Sequence, residues 1–249
     1  MLLQITNKCF ENCSHCMASA SPDGQHMTND TFVKTLDFIH RLQPMNVQIT
    51  GGEPTSHPDF YDMCLEIRKL SVFVFLESNG SFIYDDEKYE KVSDLVKNKM
   101  ILLQVRTHPK YYPSYEKVWD NPKIKALTNH FFNDAIRLIP FGRAVKNHHD
   151  EINWKAKPTC GNMFLMSRQT FSFKDAVRKM ELNGFFCKPT ISPSGDIHAG
   201  ETTECVKIGT VTDSLDQLYD SIKNKIPCNK CNLANNIPDM AWNLLKGTQ

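Results

Sequence analysis

The 249 residues suffice for one large domain, or a large one with a small companion, and at 41% hydrophobic they can bury a core. The 29 basic and 28 acidic residues nearly cancel, so no electrostatic footprint for nucleic acid stands out, and no basic amphipathic stretch marks a membrane surface. The longest apolar runs, such as 100–105, are strand-sized, and the N-terminus lacks the apolar segment and cleavage site of a secretory signal; the expected location is cytoplasmic.

In chain order, 2–6 reads as a strand and 28–42 as a helix that Thr28 can cap, with Phe32, Leu36, Ile39 and Leu42 on one face. A strand at 47–50, a helix at 59–70 and a strand at 72–76 follow, the last stopping at the turn signal Ser78-Asn79-Gly80. Then come a helix at 85–97, a strand at 101–105, a helix at 114–128 and a strand at 135–139. Strand and helix in alternation predict an α/β fold of βαβ units around a parallel sheet, open or barrel-shaped, with functional residues at the C-terminal ends of strands. Residues 144–172 show no dominant period. Beyond them lie a short helix at 173–182, a hairpin whose Thr190-Ile191-Ser192 and Ile197-His198 arms flank Pro193-Ser194-Gly195-Asp196, and a helix at 213–226. The expected organisation is a core over 1–145, a connecting region over 146–184 and a C-terminal module over 185–249.

Nine cysteines in a reducing setting favour metal ligation or catalysis over disulfides. Cys9, Cys13 and Cys16 form C-x3-C-x2-C directly after the first strand, where one loop can fold three thiolates around a metal cluster. Three ligands leave one iron of a cubane open to an exogenous molecule. Structural zinc would want a fourth donor, and His15, lodged between two of the cysteines, is poorly placed to supply it.

With Gly51-Gly52-Glu53-Pro54 after the second strand and Ser78-Asn79-Gly80 after the third, this pattern resembles the radical S-adenosylmethionine superfamily, with its cysteine loop, GGEP motif and TNG-like segment. His15 stands where the family usually carries an aromatic residue. The resemblance implies a partial (β/α)6 TIM-like barrel and a [4Fe–4S] cluster whose open iron binds S-adenosylmethionine. It further implies reductive cleavage of that cofactor to a 5′-deoxyadenosyl radical, which abstracts a substrate hydrogen. Gly51 and Gly52 leave the backbone bare for close approach; the resemblance makes the approaching group the cofactor's amino group, which Glu53 helps to hold. The bland alternative is a glycine turn into a helix opened by Pro54. Arg106, His108 and Arg143 are candidates for the cofactor's ribose and carboxylate or for substrate, against a reading as solvated surface groups. The stretch around Arg143, Pro140-Phe141-Gly142-Arg143-Ala144, is similar to one in relatives with C-terminal clusters.

Cys187, Cys205, Cys228 and Cys231 form a second constellation: two at the ends of the hairpin region and a C-x-x-C beyond a helix. Four thiolates suit structural zinc or a fully ligated [4Fe–4S] cluster, and spacing does not separate them. The arrangement resembles the hairpin-plus-helix twitch module, a shortened SPASM domain, which implies one auxiliary [4Fe–4S] cluster. Cys64 reads as a buried helix residue. Cys160 could join the auxiliary set, act as a thiol near substrate, or do nothing chemical.

An auxiliary cluster, accepting the second electron or binding substrate directly, favours an oxidoreductase performing a two-electron oxidation or a cross-link; the resemblance to twitch and SPASM enzymes implies peptide modification of the ribosomally made kind. The alternatives are dehydrogenation of a small metabolite and a non-catalytic metal protein. Partners expected are a reductant such as flavodoxin or ferredoxin and, since Met1 lies only eight residues before Cys9, a separate leader-binding protein if the substrate is a peptide.

Overall fold

A computed structural model of the chain describes residues 1–128, 131–132, 138, 141–152, 170–182 and 189–224. Strands β1 (Leu2–Thr6), β2 (Asn46–Gly51), β3 (Phe73–Ser78), β4 (Leu102–Arg106) and β5 (Phe131–Phe132) pair in parallel. Their period-two alternation decides which face is covered. Val47, Ile49, Val74, Leu76, Leu103 and Val105 turn into the apolar core, whereas Gln48, Phe75, Glu77, Gln104 and Arg106 face the other way and are only half-buried. β1 is buried at all five positions.

Helices α1 (Asn29–Leu42), α2 (Phe60–Arg68) and α3 (Asp86–Lys97) cover the core face with Phe32, Phe38, Ile39, Leu42, Phe60, Met63, Ile67, Val92 and Leu95. Each such large side chain contributes about 1.5–3 kcal/mol by leaving water. α1 begins where its sequence says: the Thr28 hydroxyl accepts from the Thr31 N–H at 3.2 Å. Cys64 is fully buried in α2, among the core residues.

The helix expected over 114–128 is two short ones, α4 (Tyr115–Val118) and α5 (Pro122–Lys125). Pro122 has no N–H and holds Asn121 extended, and Asp120 takes a left-handed φ of 67°. The strand expected at 135–139 lies outside the described residues apart from Leu138; the chain pairs with β4 earlier, at Phe131–Phe132. Where no regular element is expected, helix α6 (Gly142–His148) forms. Helix α7 (Phe173–Leu182) matches expectation.

The hairpin forms as read. β6 (Thr190–Ile191) and β7 (Asp196–His198) pair antiparallel, and β8 (Lys207–Thr210) follows before helix α8 (Leu215–Asn224). β6 also pairs in parallel with β1, Leu2 opposite Thr190, so the described strands make one mixed sheet in the order β5-β4-β3-β2-β1-β6-β7-β8. No helix among the described residues is long and apolar enough to cross a membrane.

Candidate active site at the C-terminal edge of the sheet

Four loops meet where the parallel strands end: the cysteine loop after β1, Gly51–Pro54 after β2, Ser78–Gly80 after β3 and the segment after Arg106 on β4. The cysteine loop folds back so that the Cys9 N–H donates to Ser21 O at 2.9 Å, with left-handed turns at Asn12 and Ser19. Cys9 and Cys13 are buried and Cys16 is half-buried.

The crowding of β2 against this loop explains Gly51 and Gly52. Gly51 has a φ of +146°, and a side chain on either glycine would run into backbone, that of Thr6 or of Lys8. Their bare backbone admits the cysteine loop: the Gly52 N–H donates to Thr6 O at 2.7 Å and the Glu53 N–H to Lys8 O at 2.8 Å. Pro54 then opens a 3-10 turn, Pro54–Ser56.

Glu53 is buried with both carboxylate oxygens engaged. Oε1 accepts from the Thr55 hydroxyl (2.6 Å), the Ser78 hydroxyl (2.8 Å) and the Thr55 N–H (3.2 Å), and Oε2 accepts from the Asn79 N–H (2.9 Å). Burial pushes the carboxyl above its ordinary range, and these donors pull against it. Asn79 directs its side-chain N–H at Cys9 Sγ, 3.8 Å away. One carboxylate thus ties the ends of β2 and β3 together directly beside the first cysteine.

Burial raises the Cys9 thiol to about 11, with Glu53, Cys16 and Glu11 adding to the effect. It raises Cys13 further still, helped by Glu11 and the other two cysteines and opposed by Arg143. The buried Cys9 and Cys13 thiols need a strong local positive charge to become thiolates, which is what the irons of a cluster supply. Among the described residues no three His, Cys, Asp or Glu side chains converge as a single ion would require; a cubane takes one cysteine thiolate per iron, each on a different iron, and does not need that convergence. The donor set fits a cluster held by Cys9, Cys13 and Cys16.

His15 sits between Tyr111 and Tyr112, ring centroids 5.1 and 4.8 Å away, and burial lowers its pKa to about 4. His108 stacks on Tyr111 at 4.8 Å and accepts from the Lys110 N–H. Arg106 is ion-paired with Glu77, which also accepts from Gln48. Burial raises the Tyr112 phenol well above its ordinary value. Arg143 lies apart from the strand ends, against the cysteine loop: Nε donates to Cys13 O (2.8 Å) and Nη1 to Ala20 O (2.9 Å).

No sequence motif marks Tyr111, Tyr112, Glu77, Gln48, Ser14 or His148. The signal for the first three is position, at or just beyond the end of a parallel strand. Of the second constellation, Cys205 is buried in the turn after β7, its carbonyl accepting from His198 Nδ1 at 2.9 Å. Cys187, Cys228, Cys231 and Cys160 lie outside the described residues.

Helices on the core face of a parallel sheet, with a three-cysteine loop after its first strand and GGEP after its second, define the class. The chain belongs to the radical SAM superfamily, whose model matches residues 3–138. Membership implies a [4Fe–4S] cluster and S-adenosylmethionine. A tungsten-containing aldehyde ferredoxin oxidoreductase cofactor-modifying protein of Pyrococcus furiosus is 32% identical over 89 residues, which are 34% of this chain and 25% of that one. The PqqA peptide cyclase of Bradyrhizobium diazoefficiens is 23% identical over 107 residues, 42% of this chain and 27% of that one. The chain therefore spans about a quarter of the length of these curated relatives. The solved structure of native anSMEcpe with bound AdoMet and Cp18Cys peptide matches in fold, with a TM-score of 0.54 at 14% identity over 96% of this chain and 84% of that one.

Proposed function

We propose that this chain is a radical S-adenosylmethionine oxidoreductase that abstracts hydrogen from a peptide, leading to oxidation or a cross-link. The observation that carries the reading is the Glu53 carboxylate, which joins the GGEP turn to Ser78 and Asn79 beside Cys9. When bound, the cluster supplies the electron that divides S-adenosylmethionine into methionine and the 5′-deoxyadenosyl radical. Cys9, Cys13 and Cys16 hold it. Gly51, Gly52, Glu53, Pro54, Ser78 and Asn79 shape the cofactor's berth, with His15, Arg106 and His108 as the remaining candidates around it and Arg143 set against the cysteine loop.

The finer reading has a partial (β/α)6 barrel over 1–145, a connector over 146–184 and a twitch-like module over 185–249. In it Cys187, Cys205, Cys228 and Cys231 would hold an auxiliary [4Fe–4S] cluster that would serve either as acceptor for the second electron of the oxidation or as a direct binding site for substrate. A flavodoxin or ferredoxin donor, a separate leader-binding protein and a cytoplasmic setting complete it. A peptide is favoured by the names of two similar proteins, the PqqA peptide cyclase and the peptide-bound anSMEcpe. The cofactor-modifying relative supports a small metabolite as second reading.

The test is anaerobic reconstitution with iron and sulfide, dithionite reduction and assay for 5′-deoxyadenosine. The parent should form it and a Cys16→Ala variant should not. A correctly reconstituted parent that forms none sinks the proposal.

A further inference from the structure

Helix α6 is built against the cysteine loop. From one short element, the Arg143 N–H donates to Cys16 O at 2.9 Å, Arg143 Nε to Cys13 O at 2.8 Å, Arg143 Nη1 to Ala20 O at 2.9 Å and Asn147 Nδ2 to Ser14 O at 3.0 Å. Ser14 Oγ and His148 Nε2 are 2.7 Å apart, and His148 Nδ1 lies 2.9 Å from Glu151 Oε1. Glu151 in turn accepts from Tyr111 Oη at 3.0 Å and from Lys110 Nζ at 2.5 Å, so the chain of contacts ends on the segment after β4. The approach is close enough that a Cβ on Gly142, itself at φ +57°, would lie 2.6 Å from Met17 O and 2.7 Å from Cys16 O.

Cys9 is closed onto Ser21 O at 2.9 Å, but between Cys13 and Ser19 the loop's own backbone bonds are long: Cys16 N–H to Cys13 O is 3.3 Å and Ser19 N–H to Cys16 O is 3.4 Å. Cys9 is held from the other side, by Asn79 and the GGEP turn. The segment carrying the second and third cysteines therefore takes its shape from α6. We infer that α6 is a clamp that pre-shapes the cysteine loop for its cluster. Arg143 is its main positioning residue, and its guanidinium is a fixed positive charge against the loop carbonyls rather than a ligand of cofactor or substrate. A charge-assisted fork onto carbonyls either side of the loop is a geometry that lysine cannot copy. A positive charge held there favours the reduced, more negative state of the cluster. The inference rests on Cys9, Cys13 and Cys16 as cluster ligands and on neither the peptide substrate nor the auxiliary site.

The experiment compares the full-length parent with Arg143→Gln and Arg143→Lys in two measurements. Backbone hydrogen exchange of the metal-free chain is read over 9–20, and the midpoint potential of the cluster after anaerobic reconstitution. Losing the fork should raise exchange in that segment by about tenfold or more in both variants, since a hydrogen bond to a charged group is worth about 1.5–3 kcal/mol. The potential should fall in Arg143→Gln and stay near the parent's in Arg143→Lys. Unchanged exchange in both variants overturns the clamp, and an unchanged potential in Arg143→Gln overturns the charge. Should Arg143→Gln not fold by circular dichroism, Asn147→Ala and His148→Gln carry the exchange test, each with a smaller rise expected over the same residues and the clamp overturned if neither shows one. Because exchange is read without metal or substrate, a chain that fails to oxidise peptide still tests the clamp.

Discussion

The Asn79 N–H donates to Glu53 Oε2 at 2.9 Å, so the end of β3 hangs from a carboxylate carried at the end of β2. Glu53→Gln keeps the shape but turns an amide N–H₂ toward groups that are themselves donors. One buried donor loses its acceptor, at a cost of about 1–3 kcal/mol. Urea melts of the metal-free protein should show that loss, and reconstituted Glu53→Gln should form less 5′-deoxyadenosine than the parent. A melt matching the parent's would refute the bridging role.

Gly52→Ala tests the contact between the GGEP turn and the cysteine loop. Its methyl would collide with the backbone of Lys8, which cannot rotate away. The strain should cost about 1–3 kcal/mol, and iron uptake after reconstitution should fall with it, read by colorimetric iron assay.

His15 gives a pH dependence in the metal-free chain. Burial lowers its pKa from 6.5 to about 4, so between those values the unfolded chain binds the proton and the folded chain does not. Stability therefore rises with pH across that window, and His15 contributes a loss as pH falls from 6.5 through 4. Thermal melts from pH 4 to 7 of the parent and His15→Phe should differ in slope in that direction, and the His15 ring should titrate near 4 by NMR.

Cys64 and Cys205 should part company. Cys64→Ser buries a hydroxyl in the core of α2 and should destabilise by about 1–3 kcal/mol while leaving bound iron unchanged. Under the auxiliary-cluster reading Cys205→Ala should lower iron from about eight to about four per chain. Zinc retained at that site would favour the structural alternative.

Thr28→Ala removes the cap of α1, whose hydroxyl accepts from the Thr31 N–H. A loss of about 1 kcal/mol is expected in the urea melt, with iron content unaffected.

Elements whose identity is local are legible in the sequence. α1 with its Thr28 cap, α2, α3 and the turn at 193–196 follow from periodicity and turn chemistry alone. β8 escapes notice because only Ile208 of its four residues is buried. α6 escapes because its polar sequence has no apolar stripe; what holds it is a set of carbonyls in the cysteine loop, far away in the chain. The motifs also point to the right neighbourhood while leaving the crowding partner open. Bare backbone at Gly51 and Gly52 is readable as a demand for close approach, but only the fold shows Thr6 and Lys8 filling the space. Arg143 is likewise readable as a charged group near the site, and its two carbonyl partners are not.

The pairing of Leu2 with Thr190 has a consequence for assembly. β1 is an inner strand of the described sheet, and its second neighbour is contributed by β6, more than 180 residues later. During synthesis the root of the cysteine loop keeps one unzipped flank until residue 190 has been made. Seating of the loop is thereby deferred until β6 has been made, and truncations ahead of β6 should yield chains that capture iron poorly.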